Sequence, residues 1–116
     1  MLNFIIKILS KFSKPIDGDP NEWKERQMKL PDGYWTEFTC GSCRGVYRSE
    51  NREFVILAVQ NTKKNNDFDK VLEWFDKSCK RYHMNLVFLE VGNDKLRNKL
   101  ERLGFIGTKE RMTKIY

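Results

Sequence analysis

Cysteine is sparse and odd in number, three in 116 residues. Three thiols cannot all pair internally, so a complete disulfide framework is excluded. With no cleavable secretory signal in view, the expected compartment is a reducing cytoplasm. Long apolar runs are missing too: the lysine-broken stretch Met1 to Lys14 falls short of the ~20 consecutive apolar residues that a membrane-spanning helix needs. No internal repeat, low-complexity tract or RNA- or DNA-module signature occurs. Histidine occurs once. The carboxylates Glu37 and Glu90 have no second catalytic group paired with them, so no catalytic residue is assigned.

What is present is charge and strand-length apolar segments. A formal charge of +6 and a pI near 9.3 suit attraction to nucleic acid, a phosphate-bearing cofactor or acidic lipid without identifying which. The length bounds the chain to one domain, large enough for a core without a disulfide or metal staple.

The segment from Glu53 to Phe105 organises the rest. Two apolar runs, Phe54–Val59 and Leu86–Val91, flank an amphipathic stretch from Asp67 to about Tyr82. This order predicts two doubly buried parallel strands joined by a crossover helix. Phe68, Val71, Leu72, Phe75, Cys79 and Tyr82 form the predicted inner stripe, with Asn66 as N-cap. A second helix is expected from Asn93 or Asp94, carrying Leu96, Leu100 and Leu103 inward and ending at Gly104 with a left-handed cap. Phe105-Ile106 and Met112–Tyr116 supply a last hairpin.

Upstream, Tyr34–Cys40 alternates as a half-exposed strand, Gly41-Ser42 is a two-residue turn, and Arg44–Ser49 returns. Glu50-Asn51-Arg52 then turns into Phe54–Val59, giving a three-strand antiparallel meander ahead of the βαβ unit. Residues 15–33 hold two turn-rich clusters and read as a connector with a short helix from Asn21 to Lys29. In residues 1–14, Leu2, Ile5, Ile6, Leu9 and Phe12 recur at helical spacing, with Lys7, Lys11 and Lys14 at other positions. Such a basic amphipathic helix packs on its own domain, docks on a protein partner or lies on an anionic membrane. The domain division is therefore 1–14, 15–33 and 34–116, the last a mixed α/β sheet.

Two further chemistries are open. Cys40-x-x-Cys43 and Cys79-x-x-x-His83 form a Cys3His zinc set by residue type, which would make a zinc-stabilised binding module. The crossover topology opposes it by sending the helix about 24 Å from the hairpin turn at ~1.5 Å per residue, so no metal ligand is assigned. For nucleic acid the candidates are Arg44, Arg48, Arg52, Lys63, Lys64, Lys80, Arg81, Lys109 and Arg111, with Trp35 and Tyr47 as exposed aromatics. Interspersed acidic residues favour a solvated mixed surface instead.

The order of antiparallel strands, helix, parallel strand, short helix and terminal strand resembles the GNAT (GCN5-related N-acetyltransferase) superfamily. Val91-Gly92-Asn93 through Leu103-Gly104-Phe105 carries the resemblance most closely. It implies acetyl-CoA in a V-shaped opening between the parallel strands, with pantetheine along Ala58, Val59 and Gln60. Lys63 and Lys64 would lie by the pyrophosphate at the helix start, and Asn93 would lie beside the cofactor. Two departures weaken the chemistry. The loop Gln60–Asn66 lacks the glycines that let backbone approach phosphate. Leu100 stands where many family enzymes carry a tyrosine acid, and leucine donates no proton. The favoured reading is a degenerate, cofactor-free member acting as a structural or protein-binding component. An acetyl-CoA-dependent N-acetyltransferase is the alternative. Lys80-Arg81-Tyr82, followed at a distance by Val91-Gly92-Asn93, also resembles internal virion proteins of short-tailed bacteriophages, which implies a virion location.

Overall fold

A computed structural model describes residues 22–116; the helix expected over 1–14 lies outside the described residues. Strands β1 (Trp23–Leu30), β2 (Gly33–Cys40), β3 (Cys43–Glu50) and β4 (Glu53–Asn61) run as an antiparallel meander. Helix α1 (Asp67–Tyr82) crosses to β5 (Asn85–Leu89), which pairs parallel with β4. Helix α2 (Asp94–Arg102) leads to β6 (Ile106–Thr108) and β7 (Arg111–Lys114), and β7 inserts between β5 and β6. The seven strands form one mixed sheet in the order β1-β2-β3-β4-β5-β7-β6.

The meander has one more strand than expected, because Trp23–Leu30 is neither connector nor helix. Its composition, Lys, Glu, Arg, Gln, Met and Leu, favours helix locally. Tertiary pairing overrides that preference. Pro31 and Asp32 close a tight turn, all of β1 pairs with β2, and the Trp23 ring stacks on Trp74 of α1 at 3.9 Å and on Phe38 at 5.0 Å. Each such aromatic pair contributes roughly 0.5–1.5 kcal/mol beyond its buried area.

Both helices cover one face of the sheet. There Val71, Phe75 and Cys79 of α1 and Leu100 of α2 pack with Phe38, Tyr47, Phe54, Ile56, Leu86 and Phe88. Phe75 stands edge-on to Phe38, Tyr47 and Phe54. Gly45 sits beneath this cluster, where a Cβ would run into the Phe38 ring and the Ala58 carbonyl. Two expected inward residues point out instead: Tyr82 is 58 % exposed and Leu103 is 42 % exposed. Both fall at helix ends, where the last turn overruns the sheet. Trp35 and Tyr47, expected as exposed aromatics, are buried, Trp35 on the sheet face away from the helices and Tyr47 beneath α1. β2 thus buries Phe38 and Cys40 beneath the helices and Trp35 on the other face, while Tyr34 stays 62 % exposed.

Gly104 has the expected positive φ of 97° after α2, and the Asn93 side chain caps that helix by accepting from the Leu96 N–H at 3.1 Å. The start of α1 differs from expectation, because Asn66 makes no side-chain cap and Asn65 Oδ1 accepts from the Asp67 N–H at 3.0 Å. No helix among the described residues is long and apolar enough to cross a membrane.

Candidate functional site

β4 and β5 pair only from Glu53↔Asn85 to Ile56↔Phe88, and then they separate. Each strand is held on its far side. β4 carries a bulge at Leu57, shown by the step from Tyr47↔Ile56 to Val46↔Ala58, and beyond it bonds only to β3. A bulge adds twist and bends the strand that contains it. The chain after β5 turns the other way: Glu90 adopts a positive φ of 54°, and the Glu90 and Val91 N–H groups donate to the carbonyls of Glu110 and Lys109.

The resulting cleft holds about 230 Å³ and is lined by Ile56–Val59 on one strand, Phe88–Asn93 on the other, and Leu96. A second cavity of about 430 Å³ adjoins it between the starts of α1 and α2, sharing Val59, Asn93 and Leu96 and adding Asn61, Asn65, Phe68, Asp69, Lys95 and Lys99.

Of the residues expected to contact a cofactor, Ala58, Val59 and Asn93 line the cleft. Gln60, Lys63 and Lys64 are exposed and line neither space. The cations at the cavity are Lys95 and Lys99, which sequence reasoning missed, although their four-residue spacing along α2 puts them on one helix face. Lys99 is ion-paired with Asp69 of α1, which ties the first turn of α1 to the last turn of α2.

The start of α1 is tied to the turn between β2 and β3 through Ser42, Asn65 and Asp67. Asp67 is 7 % exposed, and its Oδ2 accepts from the Ser42 N–H at 2.9 Å and from the Ser42 hydroxyl at 2.8 Å. The Ser42 N–H bond, followed by the hydroxyl bond, holds the Asp67 carboxyl below the usual carboxylate range. Asn65 Nδ2 donates to Ser42 Oγ at 3.0 Å, and Asn61 Nδ2 donates to Asn65 Oδ1 at 3.0 Å. Backbone donors of the loop are used as well: Thr62 N–H bonds to Ser42, Asn65 N–H to Lys63, and Asp69 and Lys70 N–H to Asn66.

Leu100, at the expected acid position, is fully buried in the core. Cys40 and Cys43 stand opposite each other in register across the hairpin turn, Cys79 sits on the inner face of α1, and all three are buried and outside any disulfide, whereas His83 is exposed at the end of α1. Burial, helped by Cys40 and Asp67, pushes the Cys43 thiol up to about 12, and burial with Asp76 does the same to Cys79. A reactive or metal-binding thiolate needs a shift in the opposite direction. Among the described residues no His, Cys, Asp and Glu side chains gather as a metal set.

Compared with known proteins, the chain matches no family model, no curated protein and no solved structure.

Proposed function

We propose that the chain is a GNAT-like domain that carries out no acyl transfer and serves as a structural or protein-binding component, of the kind found inside a phage particle. The observation that carries this reading is the closure of the α1 start by Ser42, Asn65 and Asp67. A helix N-terminus binds pyrophosphate through free N–H groups and its dipole. Here the ionised Asp67 carboxylate stands at the first residue of the helix, bonded to the Ser42 N–H and hydroxyl. A phosphate charge about 4 Å from it would meet roughly 4 kcal/mol of repulsion at an effective dielectric near 20. The exposed Lys63 and Lys64 side chains offset little of this, because exposed pairs contribute about 0–1 kcal/mol each.

The acid position agrees, since Leu100 is packed in the core. The space where an acceptor would approach is also reduced, because β1 passes to β2 through Pro31 and Asp32 alone. For protein contact the chain offers exposed apolar side chains near the sheet edge, among them Ile106, 66 % exposed, and Ile115, 69 % exposed.

An acetyl-CoA-dependent N-acetyltransferase is the second reading, favoured by the split between β4 and β5 and the cleft it leaves. Calorimetric titration of the full-length protein with acetyl-CoA separates the two. Absence of saturable heat at high micromolar cofactor, from protein shown to be folded, is the expected result. Micromolar binding abolished by the double change Lys63→Glu/Lys64→Glu would overturn the proposal and restore the enzyme.

A further inference from the structure

The sheet face opposite the two helices is apolar across five adjacent strands: Met28 on β1, Trp35 on β2, Val46 on β3, Val55 and Leu57 on β4, and Val87 on β5. These side chains are as dry as the helix-covered core. Val46 and Val87 are 0 % exposed, Val55 2 %, and Trp35 and Leu57 3 %. Yet α1 and α2 contribute only to the other face, and no described element packs over this one. Side chains on an uncovered sheet face stand in water. Burial this deep requires a cover.

We propose that the cover is the chain's own N-terminal segment, Met1–Lys14, laid across the sheet with Leu2, Ile5, Ile6, Leu9 and Phe12 turned inward. The dimensions match. Fourteen residues in a helix span about 21 Å at ~1.5 Å per residue, and four inter-strand steps from β1 to β5 span about 19 Å at ~4.8 Å each. Pro15 to Asn21 then joins the cover to β1 at the sheet edge, and seven extended residues reach about 23 Å. Leu2, Ile5, Ile6, Leu9 and Phe12 recur at helical spacing on one face, with Phe4 and Ile8 off it. Lys7, Lys11 and Lys14 fall off that face and stay in solvent. In this arrangement the segment completes the domain, and it reaches a membrane or a partner only by leaving the sheet. The inference is independent of whether the cleft binds a cofactor.

The test uses the full-length protein with labelled methyl groups. Nuclear Overhauser contacts are expected from Ile5, Ile6 and Leu9 to Val46, Val55, Leu57 and Val87. They should vanish from an isotope-filtered spectrum of mixed labelled and unlabelled chains. Absence of the contacts overturns the proposal. Their persistence in the filtered spectrum also overturns it, because the cover would then belong to a second copy. Leu9→Asp should lower the urea midpoint clearly while Lys11→Asp leaves it within error. Equal effects of the two changes would count against the assignment.

Discussion

Replacing Asp67 with alanine tests the closure of the α1 start directly. Alanine is the best helix former, so intrinsic propensity does not oppose the change. The Ser42 hydroxyl has another acceptor in reach, Asn61 Oδ1 at 2.7 Å, but the buried Ser42 N–H loses its Asp67 partner. An orphaned buried donor costs roughly 1–3 kcal/mol, and a carboxylate lost from a helix N-terminus costs roughly 0.3–1 kcal/mol more. The expected loss at pH 7 is therefore about 2–4 kcal/mol, read from urea unfolding as a midpoint lowered by about 1–2 M at a typical slope. The pH dependence fixes the cause. Because the Asp67 carboxyl is held below its ordinary value, chiefly by the Ser42 N–H, its stabilisation is complete above the unfolded value near 3.9 and lost as pH falls through the lower folded value. The gap between parent and variant should stay constant from pH 7 to about 5 and narrow under more acidic conditions. A gap under ~0.5 kcal/mol at neutral pH, within the range of an ordinary surface change, would refute the reasoning. So would a gap that persists undiminished to pH 2.

Three other outcomes follow from the packing. Gly45→Ala forces a Cβ against Phe38 and the Ala58 carbonyl and should cost about 1–3 kcal/mol in urea or thermal unfolding, the range for overpacked cores. Leu100→Tyr should supply no acetyltransferase activity, because the side chain enters a filled core, and it should lower stability by a similar ~1–3 kcal/mol. The thiols of Cys43 and Cys79 are raised to about 12 by burial, with smaller contributions from neighbouring charges. Their stabilisation is thus full below the ordinary thiol range near 9 and declines as pH rises toward 12, so urea midpoints should fall steadily over that interval. Mutation of both to valine should flatten the decline.

Much of the sheet was legible because its elements obey local rules. The apolar runs Phe54–Val59 and Leu86–Val91 read as buried strands, although the second strand ends at Leu89 and Glu90 is exposed, and the stripe from Phe68 to Cys79 has the helical period. Gly41-Ser42 and Gly104 announce their turns by residue type. Trp23–Leu30 was illegible for the opposite reason. Its residues prefer helix, and the strand exists because β2 and the Trp74 ring are present. Trp35 misled in a related way, since its burial depends on what lies over the far face rather than on its own strand.

The candidate site was legible only along its walls. Ala58, Val59 and Asn93 follow from the strand and cap assignments, but the cleft exists because Leu57 is bulged and Glu90 takes a left-handed turn. No residue preference signals either event. By sequence Asp67 is only the first residue of the amphipathic stretch. Its contact with Ser42, 25 positions earlier in the chain, is tertiary and invisible to periodicity. Lys95 and Lys99 reach the cavity only because α2 packs beside the start of α1, whereas Lys63 and Lys64 in the loop before α1 are exposed away from it.

Amide spectra of the full-length protein during titration with acetyl-CoA give the most direct test of a closed, non-catalytic site. The expected result is no shift at Ala58, Val59 and Gln60, or from Lys64 to Asp69, up to millimolar cofactor. Saturable shifts confined to those two segments and to Asn93 would contradict it, because they would place a cofactor in the cleft with its phosphates at the start of α1.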